Sequence, residues 1–242
     1  MILKDGPIIH NDVYVRVNRS FLSIGKQAFS AIINLQINRF KFMHHKDVIK
    51  TAEELQKEAQ AIIANQELWQ PLLSNGKIIV GGSTFLNLLV YPDLDIYFET
   101  DSDPIAILAE AASHFIKQPN IPVMDLQKNL HEKYPGKVPE GIFLQCRLNN
   151  GKRIWKIDIW VVKNPQVVAD KMQEAQHFKD IMTSKQSELI LQVKTRLAAP
   201  FGRTPCFCSY NVYKAVLEEG LNDADAVIAS LRAKGCNIDK LK

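Results

Sequence analysis

The sequence predicts an α+β fold, a mixed sheet flanked by helices and followed by a helical domain. Three observations carry this. Short apolar runs at Ile78–Val80 and Leu94–Phe98 stand among helix-compatible stretches. Two longer strand-like runs, Ile142–Leu148 and Lys152–Val162, flank Asn149-Asn150-Gly151. Asn-Gly between such runs is a strong hairpin signal, because both residues tolerate positive φ. From Val167 onward every patterned stretch reads as helix. These place a boundary near residue 165, with residues 1–165 as one domain and 166–242 as a helical one.

At 242 residues the chain has ample length for a core, and 46% hydrophobic with 23% charged residues is ordinary for a globular protein. A net charge of +4 gives only a mild preference for anionic partners. No run approaches the roughly 18 apolar residues of a membrane span, and the N-terminal stretch lacks a basic-then-apolar leader pattern. The expectation is a cytoplasmic protein without a membrane partner. Four cysteines match no zinc or redox spacing, since Cys206-Phe207-Cys208 lacks the two-residue gap. They read, with Cys146 and Cys236, as reduced packing residues, and His44-His45 as surface.

Taken in order, Val13–Val17 alternates as an edge strand or clasp, and Ser20–Phe42 reads as loosely patterned helix. Arg39-Phe40-Lys41-Phe42 before His44-His45-Lys46 interleaves bases with aromatics, as single-strand nucleic-acid binders do, but a buried aromatic pair with solvated basic neighbours is the better account. Asp47–Asn65 is an amphipathic helix with Val48, Ala52, Leu55, Ala59 and Ile62 on one face. Asn75-Gly76 turns the chain into the first central strand. Asp101-Ser102-Asp103-Pro104 caps a helix to about Lys117, with proline suited to its first turn. Gln118–Glu140, with four prolines, reads as a mobile loop bordering the site. Asn164-Pro165 ends the hairpin, and helices are expected over Val167–Met182, Ser184–Ala199, Ser209–Glu219 and Asp223–Lys234.

The chemistry concentrates between Ile78 and Glu99. Val80 leads into Gly81-Gly82-Ser83, a helix-compatible segment Thr84–Val90 follows, and Tyr91-Pro92 stops it before Asp93-Leu94-Asp95-Ile96. On a strand, Asp93 and Asp95 share a face while Leu94, Ile96 and Phe98 take the other. Two adjacent carboxylates repel unless a cation lies between them. A third, Asp158, sits with Lys156 and Trp160 on the polar face of an otherwise apolar strand, where a lone aspartate needs a partner.

Hydrophobic-Gly-Gly-Ser, nine residues, Asp-Leu-Asp-Ile, then a later hydrophobic-Asp-hydrophobic strand resembles the nucleotidyltransferase superfamily of DNA polymerase beta over roughly Lys77–Val162. The resemblance implies a nucleotidyltransferase-type sheet. It makes Asp93, Asp95 and Asp158 the metal ligands and catalytic carboxylates, with Gly81, Gly82 and Ser83 contacting phosphates. Two Mg²⁺ or Mn²⁺ ions would then be held by the three aspartates, with an NTP as co-substrate. In several branches a lysine and a Ser-Tyr pair on the appended helices reach the triphosphate; Lys194 and Ser209-Tyr210 look similar in type and spacing. The implied reaction moves a nucleoside monophosphate from NTP to a hydroxyl acceptor, with loss of pyrophosphate. Size and modest charge favour a small-molecule acceptor; RNA, protein, or a role as a non-catalytic nucleotide- or partner-binding module are the alternatives.

Overall fold

Alternating apolar and polar residues along Asp93–Glu99 and Ile154–Val162 give each strand one face for a core and one that carries its polar side chains. The computed structural model describes residues 14–18, 45–121, 123–128, 140–162, 164–198, 209–236 and 238. Six strands form one mixed sheet: β1 (Tyr14–Asn18), β2 (Lys77–Val80), β3 (Asp93–Glu99), β4 (Val123–Lys128), β5 (Gly141–Asn149) and β6 (Ile154–Val162). Their spatial order is β1-β4-β5-β6-β3-β2. The β3–β6 pair is parallel and the other neighbours are antiparallel.

Helices α1 (His45–Ile63), α2 (Gln66–Leu73), α3 (Gly82–Phe85) and α4 (Pro104–Lys117) are interspersed with the strands. Leu55, Ala59 and Ile62 of α1, Trp69 and Leu72 of α2 and Phe115 of α4 belong to the same apolar cluster as Leu94, Ile96, Leu144, Trp155, Ile157 and Ile159. Each large side chain fully buried there contributes about 1.5–3 kcal/mol. Helices α5 (Pro165–Ile181), α6 (Ser184–Leu197), α7 (Ser209–Leu217) and α8 (Ala224–Ala233) enclose a second cluster, which also takes Val48 and Ala52 from the start of α1 and Leu86, Leu88 and Val90 from the stretch before β3. One helix therefore serves both cores.

Several expectations change on contact with the backbone. Gln118–Glu140 is not irregular throughout, because Val123–Lys128 forms β4 and lies between β1 and β5. Residues 129–139 fall outside the described residues. The helix after Gly81 lasts one turn instead of reaching Val90: Asn87 adopts φ of 59°, a left-handed conformation that ends it. Helix α2 is an addition, started by the Asn65 side chain accepting from the Leu68 amide. Ser20–Phe42, with the basic-aromatic stretch, and His44 lie outside the described residues. Cys146 is buried and free; burial and the nearby Asp158 charge push its thiol to about 12, against the pull of Arg147. Among the described residues no helix is long and apolar enough to cross a membrane.

Candidate metal and nucleotide site

The parallel β3–β6 register sets Asp95 opposite Asp158 and Asp93 opposite Lys156. Because residues paired across a ladder point to one face, three carboxylates and one ammonium meet there. One carboxylate oxygen from each of Asp93, Asp95 and Asp158 can be chosen so that all lie within 4.8 Å of one another. Asp93 and Asp158 are buried at 5% and 4% exposure, and Asp95 is half-buried. The Lys156 ammonium lies 2.7 Å from Asp93 Oδ1 and 2.7 Å from Asp158 Oδ2. Gln145, opposite Asp158 on β5, donates from Nε2 to Asp158 Oδ1 at 2.8 Å. Burial pushes the Asp158 carboxyl above its ordinary range; the charge of Lys156 opposes this, that of Asp93 adds to it, and hydrogen bonds from Lys156 and Gln145 oppose it.

The glycine pair is explained by close approach. At Gly82 φ is +57°, and a Cβ built there would stand 2.1 Å from Asp95 Oδ2. A Cβ at Gly81 would meet the Tyr97 ring at 2.8 Å. Its own amide donates to the Asp95 carbonyl at 2.9 Å, fixing the loop to β3. Burial, with the Asp95 charge, pushes the Tyr97 phenol to about 12.

Ser83 lies at the junction of the two halves. Its Oγ accepts from the Lys194 ammonium at 2.8 Å and is 3.1 Å from the Tyr213 hydroxyl. Lys194 is fully buried and also donates to the Leu88 carbonyl and, at 3.1 Å, to the Tyr213 hydroxyl. The structure thus places Lys194 behind Ser83, with its donors aimed at protein oxygens. Ser209 and Tyr210, at the start of α7, line the cleft that also takes in Gly82, Ser83, Asp93 and Asp95. The Tyr210 hydroxyl donates to Glu174 at 2.6 Å. The cleft is about 240 Å³, with exposed Lys171 of α5 on its wall.

Of the residues expected from the sequence, Asp93, Asp95, Gly82, Ser83, Ser209 and Tyr210 line this cleft, Asp158 adjoins it beside Asp93 and Asp95, Gly81 supports it, and Lys194 touches it only through Ser83. Sequence reasoning missed Lys156, Gln145, Lys171 and Tyr213. Lys156 and Gln145 carried a signal, since strand alternation and hairpin register place both beside Asp158. Lys171 and Tyr213 depend on how the helical half docks, which no local pattern encodes. The donor set is all oxygen and suits a hard divalent cation. Two oxygens each about 2.1 Å from one ion are at most about 4.2 Å apart, so a small inward adjustment brings the carboxylates within reach of one.

No protein-family model and no curated protein matches the chain. Among solved structures, it is similar to the non-canonical poly(A) polymerase complex GLD-2–GLD-3, at 13% identity and a TM-score of 0.46, covering 77% of this chain and 56% of that one. A structure of Cid1, described for its RNA terminal uridylyl transferase activity, aligns at 15% identity with a TM-score of 0.48, over 79% of this chain and 52% of that one. CdnC of E. coli MS115-1 with ATP aligns at 12% identity with a TM-score of 0.39, over 79% and 71%. The chain spans about half the length of the first two structures.

Proposed function

We propose that the protein is a metal-dependent nucleotidyltransferase, moving a nucleoside monophosphate from an NTP to a hydroxyl acceptor and releasing pyrophosphate. The observation that carries this reading is the meeting of three carboxylates from β3 and β6 beside the Gly81–Ser83 loop, two of them lining a cleft between the sheet and helices α5 and α7. Gly82 lets the backbone lie against Asp95, and Ser83 offers a hydroxyl where the phosphates enter. Lys171 supplies an exposed charge on the cleft wall, Lys194 fixes the Ser83 rotamer, and Ser209 and Tyr210 bound the nucleotide from α7.

In the reaction the acceptor oxygen forms a bond to the α-phosphorus while the bond from that phosphorus to the bridging oxygen of pyrophosphate breaks, and pyrophosphate leaves with the electron pair. The acceptor proton passes to the Asp158 carboxylate, whose buried position makes it a better base than an exposed aspartate. A divalent cation such as Mg²⁺ or Mn²⁺, held by the aspartates, supplies Lewis-acid stabilisation of the charge developing on phosphate oxygens.

A nucleic-acid acceptor suits the face beyond Asp158 better than the small molecule preferred from the sequence alone. On β5, Arg147 stands opposite Lys156, offering a cation for a phosphate. One pleat from Asp158 the half-buried Trp160 ring packs at 4.5 Å between centroids on the buried Phe143 ring, leaving part of one indole for a base. A small hydroxylated compound needs neither. The test is incubation with each labelled NTP and Mg²⁺ or Mn²⁺ against a single-stranded oligonucleotide and against a pool of small hydroxylated compounds. Label is expected in the oligonucleotide. Asp93→Asn, Asp95→Asn and Asp158→Asn should each abolish it, and the triple variant should be hardly worse than one. Label confined to the small-compound pool would overturn the acceptor; no transfer and no NTP binding would overturn the enzyme.

A further inference from the structure

The cleft has two chemically different walls. The loop after β2 and strand β3 supply Gly82, Ser83, Asp93 and Asp95, which suit phosphates and a cation. Helices α5 and α7 supply Glu174, Phe178 and Tyr210, with Lys171 one turn before Glu174. The Lys214 ammonium stands 5.5 Å from the Tyr210 ring centroid but does not line the cleft. Among the described residues, Lys171 and Glu174 are thus the charged groups of this second wall. A carboxylate there repels a triphosphate. Its chemistry suits the uncharged part of a nucleotide, where N–H and O–H donors are found.

Glu174 is half-buried, and its Oε1 accepts from the Tyr210 hydroxyl at 2.6 Å. The Tyr210 ring is 36% exposed and lies 6.1 Å from the Phe178 ring between centroids. It offers a flat surface for a base, with a carboxylate fixed at its hydroxyl end. An ionised carboxylate donates no hydrogen bond and accepts about four, so capacity remains after the one from Tyr210. Guanine, alone of the four bases, carries adjacent N–H donors, at N1 and at the exocyclic N2. In adenine and cytosine the amino group adjoins a ring nitrogen lone pair, and in uracil the N–H stands between two carbonyls. A carboxylate repels both of those neighbours.

We propose that Glu174 reads the base in this cleft, and that the nucleotide it admits best is a guanosine triphosphate, whose N1 and N2 hydrogens donate together to the carboxylate. This deepens the nucleotidyltransferase reading and rests on it.

The experiment is equilibrium dialysis of the full chain with Mn²⁺ and labelled GTP, ATP, CTP, UTP, ITP or dGTP, without an acceptor. ITP keeps the N1 hydrogen and lacks the N2 amino group; dGTP keeps the base and lacks the 2′-hydroxyl. The wild type should bind GTP roughly tenfold or more tightly than ATP, CTP or UTP, since a hydrogen bond to a charged group carries about that factor. ITP should fall between, and dGTP should match GTP. Glu174→Gln can still accept from Tyr210 while turning its amide donor to the base, so it should keep the melting temperature and lose the preference for GTP. A merely structural Glu174 would leave the order of nucleotides unchanged in that variant. Equal binding of the four NTPs by the wild type, preference for another base, or a GTP preference that survives in a folded Glu174→Gln overturns the proposal and leaves the enzyme reading intact. GTP bound far more tightly than dGTP, with no difference among bases, assigns Glu174 to the ribose and overturns the proposal as well. Should Glu174→Gln fail to fold, the wild-type order with ITP and dGTP decides alone. Binding of none of these nucleotides overturns the enzyme reading, and this proposal with it.

Discussion

At Gly82 two constraints coincide: a left-handed φ of +57° and an Asp95 oxygen where a side chain would begin. A non-glycine residue in that conformation costs about 1–2 kcal/mol before any clash is counted. Gly82→Ala should therefore lower stability by at least that much and push the Asp95 carboxylate off the triad. A Mn²⁺ titration and a melting curve on this variant read both effects, and near-normal metal affinity would contradict the close approach. Two lysines separate along a different line. Lys194 is buried with three oxygen partners, so Lys194→Met should cost about 1–3 kcal/mol of stability by leaving the Leu88 carbonyl without its donor. Lys171 is exposed on the cleft wall. Lys171→Ala should leave the melting temperature unchanged and weaken NTP binding, while NMP binding stays the same. A contact to the β or γ phosphate predicts a loss of about 1.5–3 kcal/mol, or roughly ten- to a hundredfold. Equal loss for both nucleotides would remove Lys171 from the phosphates.

Among the elements, α1 and the β5–β6 hairpin are joined by a polar clasp on Glu58. Its carboxylate accepts from Asn150 at 3.0 Å, Arg153 at 3.2 Å and the Trp155 indole at 3.3 Å. Burial raises the Glu58 carboxyl, but these hydrogen bonds and the Arg153 charge outweigh it and hold the group below its ordinary value. A depressed carboxylate stabilises the fold fully above its unfolded-state pKa, and that contribution disappears as the pH falls through the lower folded-state value. Between about pH 5 and pH 3 the wild type should thus lose more stability than Glu58→Gln, which has nothing to protonate there. Parallel acid titrations of the two melting temperatures check this; superimposable slopes would dismiss the clasp. The hairpin itself was legible, because Asn150-Gly151 is a local signal and the Asn150 side chain closes the turn on the Lys152 and Arg153 amides. Strand β4 was not, since its flanking prolines and polar residues say loop, and only pairing on both sides makes it a strand. Helix α2 hid for a related reason, with Pro71 inside it.

For the molecule as a whole, the triad could be read from the chain because strand periodicity alone determines which way a carboxylate points. The roles of Lys194 and Tyr213 could not, because they come from docking of the two apolar cores through α1 and the Leu86–Val90 stretch. The parallel β3–β6 seam has a consequence for how the protein assembles. Strands β2 and β3, and β5 and β6, are near neighbours in the chain, whereas Asp93 and Lys156 are 63 positions apart. Joining them loses loop entropy before any contact repays it, so this seam closes late. Closure also drives like charges together, with Asp93 and Asp95 on one strand and Asp158 on the other. Lys156 travels on the strand that carries Asp158, so the arriving edge brings its own neutraliser. With its neutraliser in place, stopped-flow refolding of the wild type should respond little to added salt, whereas refolding of Lys156→Met should accelerate with it; equal acceleration of both would mean that Lys156 does not neutralise the seam as it closes. On this view the face proposed for the chemistry is also the gate through which the chain must pass to become folded.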